Sequence, residues 1–357
     1  MSQASSINVP GYEQVVRYED PANDLIAFIA IHDTVLGPAL GGCRMFPYTD
    51  EEKALEDVLR LSRGMTYKSA MAELPYGGGK SVIIGDPRKH KTEGLLTAFG
   101  DIVDSLNGSY ITAEDVGTSA ADMETIRRRT RHVAGLPDKG GDPSPATAWV
   151  VFHGIRAAVR HSLGRDSLES VTIAIQGVGN VGGHLADVLS LAGARLIVTD
   201  INESVAHEDG ARTFARVVAP DDIFDAKADI FAPCAMGAVL NDDTIPRLSA
   251  KIVAGSANNQ LAEDRHADAL MERGILYAPD YVLNASGIIN IYYETPIYDH
   301  QAAFAHIAGI YYNLVDLFQR ADSDGISPHL MADHMAEERI EAARRGIPLT
   351  DKIAAVG

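Results

Sequence analysis

The sequence predicts an α/β protein of two domains, each a sheet packed against helices. Three observations carry this. The chain has 357 residues, more than a typical single domain, and its 46% hydrophobic and 22% charged content is that of an ordinary globular protein. In the C-terminal half, short β-rich runs alternate with helical or mixed segments, the pattern of a parallel sheet with helices on both faces. Between the halves, residues 138–145 (DKGGDPSP) concentrate Gly, Pro and Asp and mark a hinge or domain boundary.

In the first half, residues 25–31 (LIAFIAI) suit a buried strand, and residues 80–84 suit another. Residues 50–63 set charges against Ala54, Leu55, Val58, Leu59 and Leu61 at helical spacing, with Thr49-Asp50 as the cap. Residues 95–106 read as an amphipathic helix, and residues 148–161 as another beyond the break. The strands that follow fall at residues 171–176, 195–199, 229–232, 251–254 and 274–278. Residues 301–345 are helical in period, interrupted at 323–328 (SDGISP), and the final helix is expected to return to the first domain. The domain limits that result are residues 1–143 completed by 326–357, and residues 144–325.

A formal charge of −18 argues against nucleic acid or an anionic membrane as partner, because phosphate binding needs basic surface. No apolar run approaches the roughly 18–20 residues that span a bilayer, and residues 1–10 lack the basic-then-apolar order of a secretion signal. Only Cys43 and Cys234 occur, without zinc-like spacing, so no metal site is predicted and a reducing cytoplasm fits. Both cysteines read as small packed residues.

Two lysines, Lys68 and Lys80, bracket a glycine run, Gly77-Gly78-Gly79. Two ammonium groups held together repel, and burial disfavours charge, so one is expected to lose its proton easily and serve as a base while the other anchors a carboxylate. Glycines beside them let a substrate approach. The alternative is a surface lysine followed by a Gly-rich turn.

Downstream, residues 173–182 (IAIQGVGNVG) are strand, G-x-G-x-x-G, then helix. Gly177 suits the tight turn, Gly179 the close approach to a pyrophosphate, and Gly182 close helix–strand packing. The helix N-terminus offers free N–H groups to phosphates. The next strand ends at Asp200, near the spacing expected for the acid that binds ribose hydroxyls. A carboxylate there repels a 2′-phosphate, so NAD is favoured over NADP. This is the signature of a Rossmann dinucleotide-binding domain.

Together with the lysine segment, residues 36–44 (LGPALGGCR), 110–118 (YITAEDVGT), 231–237 (FAPCAMG), 254–259 (AGSANN) and 278–285 (APDYVLNA) make the chain similar to the leucine, valine, phenylalanine and glutamate dehydrogenases, nearly end to end. The resemblance implies an N-terminal substrate domain and oxidative deamination of an amino acid to a 2-oxo acid and ammonia, with hydride passing to nicotinamide. It implies that Lys68 and the Asn284 amide hold the substrate carboxylate, that Lys80 activates water, and that Asp115 exchanges protons with the amino nitrogen and stabilises the cationic intermediate. Taken singly, Asp115 reads equally as a helix cap and Asn284 as a turn residue. The resemblance further implies Gly42 beside the substrate, Thr147, Asn180, Val181, Cys234, Ala235 and Asn259 beside the cofactor, substrate binding in a cleft that closes about residues 138–145, and a homo-oligomer, an octamer or smaller. Two departures stand out: Cys43 where relatives often have Thr, and Ser286 where a Gly is usual.

Glutamate-specific members carry a lysine directly before the Gly-Gly-x-Arg segment; here that position is Leu40. The resemblance puts Leu40, Ala113, Ile288 and Ile291 around the substrate side chain, although the two isoleucines also read as core residues at helical spacing. An aliphatic lining without a cation rejects a γ-carboxylate and fits leucine, valine and isoleucine. The competing readings are an aromatic amino-acid dehydrogenase and a catalytically silent NAD-binding protein.

Overall fold

The computed structural model describes residues 3–136, 142–294 and 298–347. They form two compact units: residues 3–136, 291–294, 298 and 336–347 in the first, and residues 142–290 and 299–335 in the second. The chain thus rejoins the first unit at residue 336, later than the break at residues 323–328 suggests. Part of the predicted hinge, residues 138–141, and the last ten residues of the chain, 348–357, lie outside the described residues.

The first unit holds β1 (Gln3–Ser6), β2 (Gln14–Asp20), β3 (Leu25–Asp33), β4 (Ala39–Phe46), α1 (Glu51–Met71), β5 (Gly77–Ile84), α2 (Glu93–Ser105), β6 (Tyr110–Glu114) and α3 (Ala120–Arg127). Its sheet runs β1-β2-β3-β5-β4-β6, antiparallel from β1 to β5 and parallel among β5, β4 and β6. One face packs on α2 and α3 through Ala39, Cys43, Met45, Phe99 and Ile126. The other packs on α1 through Val15, Phe28, Ala30, Val58 and Val82. Each large apolar side chain buried this way contributes about 1.5–3 kcal/mol.

Two expectations change here. The helix predicted over residues 50–63 keeps its Asp50 cap, which accepts from Lys53 N at 2.8 Å, but continues to Met71 and carries Lys68 in its last turn. The cost of Gly64 within it, about 1 kcal/mol, is offset by packing. Nor are Gly77-Gly78-Gly79 a turn or an open approach for substrate: they begin β5. A Cβ at Gly78 would lie 2.1 Å from Thr66 Oγ1, and one at Gly79 would lie 2.7 Å from the Tyr110 ring. The space is filled by α1 and β6, so glycine is required for the sheet to be covered. Strands β1, β2, β4 and β6 are also absent from the sequence reading.

The second unit opens with α4 (Ser144–Leu163) and continues with β7 (Thr172–Gln176), α5 (Asn180–Leu191), β8 (Arg195–Thr199), α6 (Glu203–Thr213), β9 (Arg216–Val217), β10 (Ile230–Pro233), β11 (Ile252–Val253), α7 (Arg265–Glu272), β12 (Leu276–Tyr277), α8 (Asp280–Leu283), the start of α9 (Ser286–Tyr293), α10 (His300–Asp324) and the start of α11 (Pro328–Arg344). Its sheet is wholly parallel in the order β9-β8-β7-β10-β11-β12, the order of a doubly wound dinucleotide domain. The sequence found all of these strands except the two-residue β9.

Candidate active site

Strand register assembles the first half of the site. Leu40 pairs with Gly78 on one side and Ile111 on the other, Gly42 pairs with Ala113, and Cys43 pairs with Ser81. Paired residues of parallel strands share a face, and side chains alternate along each strand. Leu40, Gly42, Ala113 and Lys80 therefore all lie on the α1 face, with Asp115 just past the end of β6. Lys80 is 7% exposed, Leu40 0% and Ala113 7%, so these groups line the inner part of that face rather than the surface. At Gly42 a Cβ would lie 2.8 Å from Asp115 Cβ, so the missing side chain is what lets Asp115 reach Lys80. Lys68 is half-buried near the end of α1, two residues past Thr66, as Lys80 is two residues past Gly78 where those elements meet. Arg339 donates to the carbonyls of Ala70 at 2.9 Å and Met71 at 3.0 Å and pairs with Glu73 at 3.1 Å, holding that last turn with a cation at the negative end of the helix.

The Lys80 ammonium is paired with the Asp115 carboxylate. The lysine thus has a carboxylate partner that the reading from lysine–lysine repulsion did not include. Burial pushes the Asp115 carboxyl up, but the Lys80 and Arg44 cations together outweigh it and hold the group below its ordinary value. Asp115 is no helix cap: its Oδ1 accepts from Val116 N at 2.6 Å, and Thr118 Oγ1 donates to Cys43 O at 2.8 Å, pinning the loop to β4. Cys43 is fully buried and its thiol is pushed up to about 12 by burial, so it packs rather than reacts.

In the second unit, the loop after β7 crosses the crevice between β7 and β10, where the strand order reverses. Gly177 has φ +91°, and a Cβ there would lie 2.6 Å from Ala235 Cβ. A Cβ on Gly182 would lie 1.9 Å from Gly177 O, so α5 sits directly on the turn. Gly179 caps α5 without a side-chain bond, leaving the N–H groups of Asn180 and Val181 at an open helix start. Cys234 N donates to Gln176 O at 2.8 Å, which sets Cys234 and Ala235 beside the loop. Asp200 accepts from Val178 N at 3.0 Å and from Asn202 N at 2.9 Å; the cap of α6 is Asn202, not Asp200.

Comparison with known proteins decides the family. Residues 12–132 match the model of the Glu/Leu/Phe/Val dehydrogenase dimerisation domain, and residues 211–303 match that of glutamate/leucine/phenylalanine/valine dehydrogenase. Leucine dehydrogenase of Geobacillus stearothermophilus is 54% identical over 94% of this chain and 92% of its own. The chain belongs to the Glu/Leu/Phe/Val dehydrogenase family. It is an amino-acid dehydrogenase. L-tryptophan dehydrogenase of Nostoc punctiforme is 46% identical over 94% of this chain and 95% of its own. The crystal structure of that enzyme superposes with a TM-score of 0.86 at 45% identity, covering 94% of this chain and 97% of the other.

A dehydrogenase of this family works with a nicotinamide cofactor, and the second unit fits one. Nothing lies within 4 Å of a Cβ built on Gly179, so backbone there is open to a pyrophosphate, and the α5 N–H groups beside it lack side-chain partners. Each Asp200 oxygen accepts one backbone N–H and keeps a lone pair for a ribose hydroxyl. Among the described residues no His/Cys/Asp/Glu cluster suits a metal ion, and no helix is long and apolar enough to cross a membrane.

The remaining predicted residues of the dehydrogenase fall as follows. Asn284 Nδ2 donates to Asn258 Oδ1 at 2.8 Å, while its buried Oδ1 has no hydrogen-bond partner. Thr147 shares a 2.6 Å hydrogen bond with Ser286 Oγ and donates to Pro143 O at 3.0 Å. Asn259 is exposed at φ +50°. Ile288 is buried at the start of α9, and Ile291 is half-buried in the part of that helix assigned to the first unit. Sequence reasoning missed two partners, Arg44 and Ser286. Ser286 was visible as a departure, and Arg44 stood within a quoted motif, but each acquires meaning only from a residue distant in the chain.

Proposed function

We propose that this dehydrogenase oxidatively deaminates branched-chain aliphatic L-amino acids, leucine, valine and isoleucine, to 2-oxo acids and ammonia with NAD, reversibly. One observation carries the substrate reading: fully buried Leu40 shares the sheet face of Lys80 and Asp115, and Ala113, which pairs with Gly42 two residues along β4, lies on that same face. A γ-carboxylate brought against Leu40 would meet an aliphatic side chain instead of a cation of its own and lose its hydration. Similarity to leucine dehydrogenases at 54% and 53% identity supports the same reading.

Lys68 holds the substrate carboxylate, and Gly42 leaves room for the Cα. The nicotinamide cofactor supplies the hydride acceptor. Ionised Asp115 faces the substrate nitrogen, exchanges its protons and balances the positive charge that grows as the iminium forms. A cationic substrate nitrogen also competes with Lys80 for Asp115, and the ammonium so crowded releases its proton more readily. Neutral Lys80 then takes a proton from water as its oxygen attacks the iminium carbon. The proton passes from Lys80 by way of Asp115 to the nitrogen, Lys80 then accepts the proton of the carbinolamine hydroxyl, and the C–N bond breaks as the C=O bond forms, so that ammonia leaves and the 2-oxo acid remains. Asp200 underlies the choice of NAD: its carboxylate accepts from ribose hydroxyls and repels a 2′-phosphate. The cofactor loop is further formed by Gly177, Gly179, Asn180, Val181, Gly182, Cys234 and Ala235, with Thr147 and Asn259 toward the nicotinamide. We place the protein in the cytoplasm as a homo-oligomer.

A second reading, an aromatic amino-acid dehydrogenase, has support of its own: relatives named L-tryptophan dehydrogenase and phenylalanine dehydrogenase are both 46% identical. Absorbance of the reduced cofactor at alkaline pH, with leucine, valine, isoleucine, phenylalanine, tryptophan and glutamate against NAD and NADP, separates the two. Turnover of the aliphatic substrates with NAD is the expected result. Turnover of phenylalanine or tryptophan alone would keep the chemistry and discard the pocket.

A further inference from the structure

One half-buried guanidinium in the first unit has no part in the chemistry above. Arg44, on β4, shares the α1 face with Leu40 and Gly42 by strand alternation. Its Nη1 donates to Asp57 Oδ2 at 2.8 Å. Its Nε is buried without a hydrogen-bond partner and lies 3.7 Å from Asp115 Oδ2, too far for a hydrogen bond but close enough for strong attraction. Asp57 is itself held from two further sides: Tyr48 Oη donates to it at 2.7 Å and Arg60 at 2.8 Å. Charges therefore alternate along one row: Lys80, Asp115, Arg44, Asp57, Arg60.

We propose that Arg44, tethered by Asp57, is a positioning residue that keeps Asp115 ionised and aimed as the counter-charge for the substrate's cationic nitrogen. Lys80 alone could not do this through a catalytic cycle, because its own charge must change when it activates water. Arg44 stays charged throughout, since a guanidinium does not lose its proton in this pH range. The tether to Asp57 also keeps Arg44 from closing a bidentate pair with Asp115, which would occupy the oxygens the substrate needs.

The other groups around Asp115 do not supply this field. Cys43 on β4 is neutral, its thiol pushed up to about 12. Tyr110 on β6 is neutral, its phenol pushed up by burial. Glu114 is exposed, and Asp122 on α3 is matched by Lys91 at 2.7 Å.

The inference deepens the proposed mechanism, and its test does not need turnover. The Asp115 carboxyl carbon is followed by NMR across acid pH in enzyme labelled at aspartate, with Asp115→Asn for assignment. Arg44→Gln is expected to move the midpoint to higher pH, and Arg44→Lys to recover most of the shift. Asp57→Asn, which leaves Arg44 charged and removes a competing anion, is expected to move the midpoint to lower pH. In kinetics, Arg44→Gln should lose at least about tenfold more kcat/KM at the acid end of the profile than at the alkaline end. An unmoved midpoint in Arg44→Gln, with turnover lowered equally at every pH, would assign Arg44 to holding β4 on α1 and overturn the proposal. If Arg44→Gln does not fold, Asp57→Asn decides: an unmoved or raised midpoint overturns it. Loss of amino-acid turnover in wild-type protein that still titrates as described would sink the function and leave this inference standing.

Discussion

At the scale of single residues, Lys80 and Asp115 neutralise each other in a site nearly closed to water, and the pair leaves a signature in stability. Asp115 has a folded value below its ordinary 3.8. Its interactions therefore contribute stability that is fully present above the unfolded value and is lost as pH falls from there through the folded value. Urea unfolding of the wild type should weaken on acidification more steeply than that of Asp115→Asn; equal slopes would mean that the pair carries no such linkage. Leu40 makes a second point about charge. Leu40→Lys puts an ammonium on the aliphatic face, so leucine kcat/KM should fall by about tenfold or more, in line with the 1–3 kcal/mol value of one apolar contact, and glutamate should gain measurable turnover. Unchanged leucine kinetics would remove Leu40 from the pocket. Residue identity was legible at these positions because charge and volume belong to the side chain. The partner of Arg44 was not, since Asp57 lies 13 residues away on another element.

The glycine run that opens β5 shows how an element can mislead on the page. Glycine weakens a strand by itself, and a run of it next to a lysine reads as loop. It is strand because α1 crosses so closely that Thr66 occupies the space of the Gly78 side chain. Gly78→Ala should cost about 1–3 kcal/mol by overpacking. Gly64→Ala, on the exposed side of α1 with nothing within 4 Å of the new Cβ, should instead stabilise by roughly 0.4–1 kcal/mol. Chemical denaturation of both variants measures the contrast, and equal effects would deny that α1 is seated on β5 at this point. Long helices and the parallel strands of the second unit were legible because their periods repeat several times. Strands β1, β2, β4, β6 and β9 were not: β1, β6 and β9 are edge elements, β4 carries a glycine pair, and all are held by pairing, which is not a local property.

For the whole molecule, two compact units give the chain two kinds of site, one of alternating charges and one of open backbone N–H groups. Cofactor choice is read out on the whole chain. NAD at about a hundred times its Kd should stabilise the folded protein by roughly 2.7 kcal/mol, visible as a rise in the unfolding transition. NADP at the same concentration should give little, and Asp200→Ser should narrow the difference. An equal rise with both cofactors in the wild type would remove Asp200 from discrimination.

From sequence alone, the chain's α/β class, its Gly177-to-Asp200 fingerprint, its family and the candidate chemistry of Lys68, Lys80 and Asp115 could be read. These rest on side-chain identity and on spacings of a few residues, which a linear string preserves. Only the tertiary structure decided that Lys80 is paired with Asp115, that Gly78 beside it is the seat of α1, and that Arg44 and Asp57 extend the row of charges. Those outcomes depend on distances of a few ångströms between residues on different elements, where Coulomb attraction and steric exclusion are strongest, and chain order carries no record of them.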